Sequence, residues 1–308
     1  MTSKLEPLIS LVMPVWKPHP PWLAAAVSSA LDQSSVRLEV IVVDDRSPQP
    51  VADLLGGYVG DRRLRIVRLR ENAGGARARN AGIEMARGDL LRFVDADDVC
   101  PRDSTARLVS LSRGERVITY GATLFCDPEL RPVWAMRSGV DGDAVRRCLL
   151  GRFRVRTPAA LFPRDVVHAA GPWDPSFAVS EDWDFTLRCL EHAPVRGDGT
   201  VALLYRRHAH SMTSDLVDGE AGARRVAERY FERHPEQRGT WIERQVEASI
   251  EAMLARVDAT HGEPVSAARR ALRVLATDPT ALAHELRHSW PALGPRVRRA
   301  VRSGLSAR

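Results

Sequence analysis

Lysine and asparagine are nearly absent from this chain of 308 residues: lysine occurs only at Lys4 and Lys17, and asparagine only at Asn72 and Asn80. Almost all of the positive charge is therefore arginine, a composition that is typical of a GC-rich genome. The net charge of +6 then reflects codon usage and is not evidence of a basic binding surface. We therefore predict no nucleic-acid partner.

Cysteine is also scarce. The four cysteines, Cys100, Cys126, Cys148 and Cys189, show no CxxC spacing, so no zinc site of that kind is expected. Isolated thiols of this kind are typical of a reducing compartment, where they stay free and mostly buried. Cysteine usage therefore predicts a cytoplasmic protein.

Long apolar segments are lacking as well. A membrane-spanning helix needs roughly 18 consecutive apolar residues, and no run approaches that length. The first ten residues, MTSKLEPLIS, do not contain the apolar centre of a secretory signal. At the other end, residues 295–308 are basic and amphipathic, which indicates either a solvated helix face or a surface for a membrane or partner. Peripheral contact with the inner membrane face and a homodimer are therefore open alternatives.

Two common nucleotide-binding motifs are missing. No GxGxxG follows the first predicted strand, and no GxxxxGK[ST] occurs anywhere, which excludes the usual dinucleotide site and the P-loop. Gly74 and Gly75 are more simply interpreted as turn residues, although backbone donors in such a turn can also meet a phosphate.

The most informative segment that is present is LLRFVDADD, residues 90–98. Its apolar first half predicts a buried strand, and it ends on Asp95, Asp97 and Asp98. Ligands of open α/β sheets bind beyond the carboxyl ends of the strands, and clustered carboxylates favour Mg²⁺ or Mn²⁺. The alternative is that Asp97 or Asp98 caps a helix after Pro101.

Apolar runs and helical periodicity alternate along the first two thirds of the chain. This alternation predicts a doubly wound α/β sheet with parallel strands. The predicted strands are residues 8–15, 38–43, 64–69, 90–94, 116–120, 132–136 and 201–205, and residues 159–162 are a further short apolar run. The predicted helices include residues 22–33, 51–58 and a segment ending near Gly88, and another follows Pro101.

Only helical periodicity is evident after about residue 218. We therefore predict an α/β domain at residues 1–218 and a helical C-terminal appendage at residues 219–308. Within the α/β domain, Ser180 is predicted to cap a helix whose first turn carries Glu181 and Asp182. Acids in a first turn commonly serve only the helix dipole, so that interpretation stands beside a functional one.

With these segments in place, residues 8–213 resemble a bacterial family 2 glycosyltransferase of the GT-A fold. The similar pieces follow one another in the family's order. They are MPVW at 13–16, VVDDRS at 42–47, NAGGARARNAG at 72–82, the D-x-D-like VDADD at 94–98, GPWDPSFAVSEDWDFTLR at 171–188 and YRRHAHSMT at 205–213. The resemblance implies a mixed, mainly parallel sheet with helices on both faces.

The resemblance also implies a donor site and a metal site. The donor would be a nucleotide-diphosphate sugar, and the metal Mn²⁺ or Mg²⁺. By this resemblance the donor-binding residues are expected to be Pro14, Val15, Asp44, Asp45, Arg79, Asp95 and Ala96. The expected metal ligands are Asp97, Asp95 and His208. His210 replaces a glycine of the family pattern, so the sequence leaves open whether His208 or His210 contacts the metal.

For catalysis the resemblance implies Asp182 as general base, with Glu181 beside it, and in-line displacement with inversion. The acceptor would be a cell-envelope glycan, a natural product or a peptide side chain. Trp173 and Trp183 are candidates for stacking on a sugar, although core packing is the stronger explanation for at least one of them.

Two other functions are weighed against this one. A catalytically degenerate protein that binds a nucleotide sugar or serves as a scaffold fits the unusual Lys17 and His210. The enzyme is favoured because the acids of the family pattern are all present, at Asp95, Asp97 and Asp182. A nucleotidyltransferase needs a Gly-rich basic loop after the first strand, and the sequence there is KPHPP.

Overall fold

A computed structural model describes residues 6–58, 60–137, 139–153, 155–208 and 219–289. The chain divides into two compact units. The first comprises Met1–Val145 and Phe153–Ser214, and the second comprises Arg146–Arg152 and Asp215–Arg308. The predicted domain boundary at residue 218 lies outside the described residues.

The first unit is built on one eight-stranded sheet in its described part. The strands are β1 (Leu8–Val15), β2 (Arg37–Asp44), β3 (Leu64–Arg68), β4 (Leu90–Phe93), β5 (Ile118–Cys126), β6 (Pro132–Met136), β7 (Ala160–Pro163) and β8 (Val195–Arg206). Their order is β3-β2-β1-β4-β7-β5-β6, and β8 pairs with the other edge of β5. The pairs β1–β2, β1–β4, β2–β3 and β5–β8 are parallel, and β7 is antiparallel to both neighbours.

The helices of this unit are α1 (Pro20–Leu31), α2 (Val51–Leu54), α3 (Gly75–Met85), α4 (Ser104–Ser112), α6 (Arg164–Ala170) and α7 (Glu181–Leu190), and α5 (Val145–Leu149) crosses into the second unit. The second unit contains α8 (Gly219–Arg233), α9 (Trp241–His261), α10 (Pro264–Thr277) and α11 (Pro279–Ser289). The predicted mixed, mainly parallel α/β sheet with C-terminal helices is confirmed. The short helices α5 and α6 were not predicted, and β5 and β8 are longer than their apolar runs indicated.

The core follows directly from the apolar pattern. β1 and β2 are buried along almost their whole length, as expected of parallel strands that are covered on both faces. Helix α1 begins on two prolines, which fit a first turn because its N–H groups lack helical partners. Its buried residues are the five that the helical spacing indicated, Leu23, Ala26, Val27, Ala30 and Leu31.

A charged side chain lies in the middle of this core. Arg92, on β4, is completely buried and has only neutral oxygens as partners. Its guanidinium donates to the carbonyls of Pro158 (3.1 Å) and Ala202 (2.5 Å) and to the hydroxyls of Ser104 (2.9 Å) and Thr105 (2.7 Å). Burial lowers the pKa of Arg92. Arg92 therefore ties β4 to β8 and to the start of α4.

Gln33 extends this network to the loop that follows β4. Its side-chain oxygen accepts from Ser104 and Thr105, while its amide nitrogen donates to the carbonyls of Cys100 (3.3 Å) and Pro101 (3.0 Å). A buried polar network whose members are all bonded holds one arrangement of the chain. This one fixes the backbone just after the acidic residues that end β4.

A second buried polar cluster joins β1, β2 and the end of α3. One carboxylate oxygen of Glu39 accepts from the Ser10 hydroxyl (2.7 Å) and the Arg87 N–H (2.7 Å), and the other accepts from the Arg87 guanidinium (3.0 Å). Burial acts to raise the pKa of Glu39, but the bonds from Arg87 and Ser10 outweigh it, so the pKa lies below its ordinary value of 4.5.

We expect Glu39→Gln to lower the free energy of unfolding by about 1–3 kcal/mol at pH 7, because an amide replaces a charged acceptor. A lowered folded-state pKa gives stability that is present above pH 4.5 and is lost as the pH falls through the folded value. Urea titrations from pH 7 to pH 3 should therefore show a smaller loss of stability in the variant than in the wild type. An equal pH dependence in the two proteins would contradict this account.

The second unit is held by apolar packing and a network of ion pairs. Ala248, Ala252, Val274 and Ala281 form its buried apolar cluster. Glu251 lies at the centre of the charges, within 3.0 Å of the guanidinium groups of Arg224 and Arg270 and 2.7 Å from Arg273. None of the helices in the described ranges combines the length and apolar composition that crossing a bilayer requires. The basic segment at residues 295–308 lies outside the described residues.

Candidate active site

The acids that end β4 meet the end of β8. Val99 and Leu204 form an isolated antiparallel bridge, with N–H···O distances of 3.1 and 2.8 Å. This bridge places the Arg206 N–H at 2.9 Å from Asp98 Oδ1, and the Arg206 guanidinium donates to the Asp97 carbonyl at 2.8 Å. The helix-cap alternative is wrong, because the residue before α4 is Asp103 and both acids face β8.

Asp97 and His208 form the closest pair of candidate metal ligands. Asp97 Oδ2 lies 2.8 Å from His208 Nε2. The histidine ring packs against Trp22, with ring centroids 4.7 Å apart, and the Arg206 guanidinium lies 5.1 Å from the same indole. The sequence analysis did not predict that Trp22 on α1 supports this histidine. His210 lies outside the described residues.

The acids that end β4, Asp95, Asp97 and Asp98, have different electrostatic environments. Burial, and next the charge of Asp95, raises the pKa of Asp97, although the hydrogen bond with His208 opposes the shift. Asp98 is fully buried, and its pKa is raised well above the ordinary value by burial and then by repulsion from Asp95 and Asp97. Its Oδ2 has no hydrogen-bond partner among the described residues. The chain thus concentrates negative charge here without fully compensating it.

Arg79 joins this cluster to the start of α7. One guanidinium nitrogen donates to Asp95 Oδ1 at 2.9 Å, and another lies 3.7 Å from Glu181 Oε1. The guanidinium also lies 4.6 Å from the ring of Trp173, which is buried and stacks on Phe185 at 4.2 Å. The structure therefore brings the predicted acids of both segments to one place, and Trp173 is a core residue and no platform for a sugar.

The three acids in the first turn of α7 have different surroundings. Asp184 is buried and ion-paired with Arg188 at 2.8 Å, and Glu181 is tied to Arg79. Asp182 is half-buried and makes no hydrogen bond or ion pair with any described residue. Burial, and next the charge of Asp182, raises the pKa of Glu181. Ser180 precedes the helix as predicted, but it is left-handed (φ 66°) and its side chain makes no capping bond.

The predicted donor residues lie at the ends of β1 and β2 and in the turn before α3. Pro14 is half-buried and Val15 buried, and the Val15 carbonyl accepts from the Asp45 N–H at 2.8 Å. Asp44 is buried and accepts from the N–H groups of Ser47 (2.8 Å) and Val51 (3.2 Å) and from Arg68 (3.0 Å). Its carboxylate therefore organises the loop after β2.

The neighbouring Asp45 holds the glycine turn. Its two carboxylate oxygens accept from the N–H groups of Ala73 (2.7 Å) and Gly74 (2.8 Å). Gly74 precedes α3 with φ 86°, a conformation that favours glycine. Gly74 is therefore a turn glycine as predicted, with its N–H bonded to Asp45, whereas Gly75 begins helix α3 and is not a turn residue. Ala96, between the two acids of the D-x-D segment, is half-buried.

Arg156 is a site residue that the sequence analysis did not identify. It precedes β7, and its guanidinium lies 4.4 Å from the Tyr205 ring. Burial acts to lower the pKa of Arg156, but Tyr205 and the carboxylates of Asp182, Asp95 and Asp98 raise it above its ordinary value. No sequence pattern marks this arginine, because it reaches the acids only through strand pairing between β5, β7 and β8.

Comparison with known families identifies the first unit. The model of glycosyl transferase family 2 matches residues 10–167, just over half of the chain. An uncharacterised glycosyltransferase of Haemophilus influenzae is 34% identical over 187 residues, which cover 60% of this chain and 72% of that protein. The putative teichuronic acid biosynthesis glycosyltransferase TuaG of Bacillus subtilis is 38% identical over 99 residues, covering 32% of this chain and 39% of TuaG.

Other relatives are longer than this chain. An uncharacterised protein of Sinorhizobium fredii, y4gI, is 30% identical over 202 residues, which are 62% of this chain and only 21% of that protein. Among solved structures, residues 1–349 of S. aureus TarS superpose with a TM-score of 0.56 at 14% identity, covering 92% of this chain and 91% of that one. TarS has also been crystallised in complex with UDP-GlcNAc. At this identity the likeness shows a shared fold.

Proposed function

Because the chain belongs to glycosyltransferase family 2, as its motifs indicated, we propose that it transfers a sugar from a nucleotide-diphosphate sugar to an acceptor nucleophile. The observation that carries the proposal is Arg79, which contacts Asp95 at the end of β4 and Glu181 at the start of α7. Through Arg79, the acids of the donor side lie beside the helix that carries Asp182. Leaving-group and acceptor chemistry can therefore share one site.

We infer that the nucleoside binds at the carboxyl ends of β1 and β2. Pro14, Val15, Asp44 and Asp45 lie at this edge of the parallel sheet, where ligands of open α/β sheets bind. The UDP-GlcNAc complex of TarS supports a nucleotide sugar as donor, since the two chains share the fold. The internal hydrogen bonds of Asp44 and Asp45 keep the two loops in place around that edge.

A divalent ion on the diphosphate fits Asp97 and His208. Asp97 Oδ2 and His208 Nε2 lie 2.8 Å apart, and a carboxylate oxygen together with a neutral ring nitrogen could hold Mn²⁺ or Mg²⁺ there. No group of three or more metal-ligating side chains converges in the described ranges. This agrees with an ion held by one or two side chains, substrate phosphates and water, as Mg²⁺ and Mn²⁺ are. Such an ion would offset the charge on the departing diphosphate.

Asp182 is the acid best suited to take the acceptor proton. Asp184 and Glu181 are engaged with arginines, whereas the Asp182 carboxylate is uncommitted and partly accessible. A base that deprotonates the acceptor as it attacks the anomeric carbon gives in-line displacement with inversion. Arg79 positions Glu181 in the first turn of α7, and Asp182 is the next residue of the same helix.

The test is a panel of UDP, TDP and GDP sugars, each with and without Mn²⁺. A donor at about 100 times its dissociation constant stabilises a protein by about 2.7 kcal/mol, which is a rise of several degrees in Tm. We expect one donor class to raise Tm and to be hydrolysed slowly in a Mn²⁺-dependent way. Asp97→Asn should remove the Mn²⁺ dependence, and Asp53→Asn, which changes an exposed acid on α2, should not.

Two outcomes would count against the proposal. If no nucleotide sugar changes Tm, the chain does not bind such a donor. If a donor binds but no sugar is released with any metal, the scaffold alternative is favoured instead.

A further inference from the structure

Three aromatic side chains form a row across adjacent strands of the first unit. Phe125 on β5 is paired with Trp134 on β6 and with Tyr205 on β8. Paired residues point to the same face of a sheet, so the three rings share one face. Trp134 and Phe125 are stacked, with centroids 4.0 Å apart and planes 5° apart, and Phe125 lies 5.0 Å from Tyr205. We call these three residues the aromatic row.

The aromatic row is open to solvent at one end. Trp134 is 45% exposed, although its ring is held against Phe125, which is almost fully buried. An exposed large aromatic ring that is already held in one orientation loses little conformational freedom when a ligand covers it.

The other end of the aromatic row leads to the candidate active site. The Arg156 guanidinium lies 4.4 Å from the Tyr205 ring and 5.7 Å from the Phe125 ring. The Arg156 guanidinium makes no hydrogen bond or ion pair with any described residue, so its N–H donors are available to a ligand. The carboxylates of Asp182 and Asp95 are close enough to raise its pKa.

We propose that the aromatic row and Arg156 form the acceptor subsite and that the acceptor is an uncharged saccharide. This inference rests on the proposed function, because it assigns the second substrate of the same site. One face of a sugar ring carries C–H groups that pack on an indole, and its hydroxyls accept hydrogen bonds from a guanidinium. Phe125 covers one face of the Trp134 indole, so the saccharide would stack on the other face and extend along the row to Arg156, whose guanidinium feels the charge of Asp182.

The alternatives fit less well. A purely apolar acceptor would cover Trp134 but would offer no hydrogen-bond acceptor to the half-buried guanidinium of Arg156. A strongly anionic acceptor would approach Asp182, Asp95 and Asp98, and repulsion between like charges would oppose its binding. An uncharged ring with hydroxyl groups avoids both costs.

The test uses methyl glycosides of common hexoses and N-acetylhexosamines as probes, with saturation-transfer difference NMR in the presence of Mg²⁺, which is diamagnetic. We expect saturation on the ring C–H protons of at least one glycoside with the wild type. Trp134→Ala should remove that signal, whereas Trp134→Phe should retain part of it. Trp241→Ala is the matched control, because Trp241 is 47% exposed and lies on α9 of the second unit.

Kinetics with the glycoside that binds give a second readout. Trp134→Ala should raise its KM by about tenfold or more with little change in kcat, because it removes stacking and leaves the acids intact. Thermal shifts with the donor in the same samples separate the two proposals. If donors bind but no glycoside does, or if a peptide panel binds instead, the acceptor subsite is wrong and the proposed function stands. If glycosides bind at Trp134 but no donor binds, the proposed function fails instead.

Discussion

Asp182→Asn is expected to lower the rate of sugar transfer by about 100-fold or more while donor binding stays nearly unchanged. The amide has the shape of the carboxylate but cannot accept the acceptor's proton. Since Asp182 forms no hydrogen bond or ion pair with the described residues, its replacement should not disturb the fold. The measurement is the release of nucleoside diphosphate from the best donor of the panel, together with its thermal shift.

Two companion variants make this result interpretable. Asp53→Asn should behave as the wild type in both measurements, because Asp53 is exposed on α2. Asp184→Asn should lower Tm, because it removes a buried carboxylate that is ion-paired with Arg188. Loss of donor affinity in Asp182→Asn would mean that this acid is structural and that the base is another group.

Arg92→Met is expected to lower the free energy of unfolding by about 3 kcal/mol or more. Methionine fills much of the volume but donates no hydrogen bond. The carbonyls of Pro158 and Ala202 would then be left buried without their donor. Urea denaturation gives the size of the effect, and hydrogen exchange of peptides from β4 and β1 should show faster exchange there than elsewhere.

Arg37→Met is the matched control for Arg92. Arg37 is an exposed arginine at the start of β2, and it donates to the carbonyl of Glu6 at 3.1 Å. Its replacement should change stability by no more than about 0.5 kcal/mol. Equal effects of the two substitutions would show that the neutral oxygens around Arg92 do not depend on it.

Local patterns predicted most of the sheet correctly. The first strand has the bounds that its apolar run indicated, and all five buried positions of α1 follow the helical spacing. The ends of β5 and β8 were less predictable from the sequence. Each extends through residues such as Gly121 and Gly197 that disfavour strands in isolation, and pairing between the two strands overrides that preference.

Arg92 shows where a pattern misleads. In the sequence it is one charged residue in an apolar run, and such a residue would normally face solvent. The structure buries it, because Ser104, Thr105 and two carbonyls from distant segments supply acceptors for its donors. Those partners lie between 12 and 110 residues away, so no window of sequence could reveal them.

The sequence by itself determined the family, the alternation of strands and helices, and the identity of the acids at the strand ends. These features are local, since each depends on a run of neighbouring residues. Only the tertiary structure decided the surroundings of the other acids: Glu181 is held by Arg79, and Asp182 is left partly accessible. It also placed Arg156 against Tyr205 of the aromatic row and close enough to Asp182 and Asp95 for their charges to raise its pKa. The reason is physical: the pKa and availability of a carboxylate depend on its burial and its partners, and packing between segments far apart in the sequence sets both.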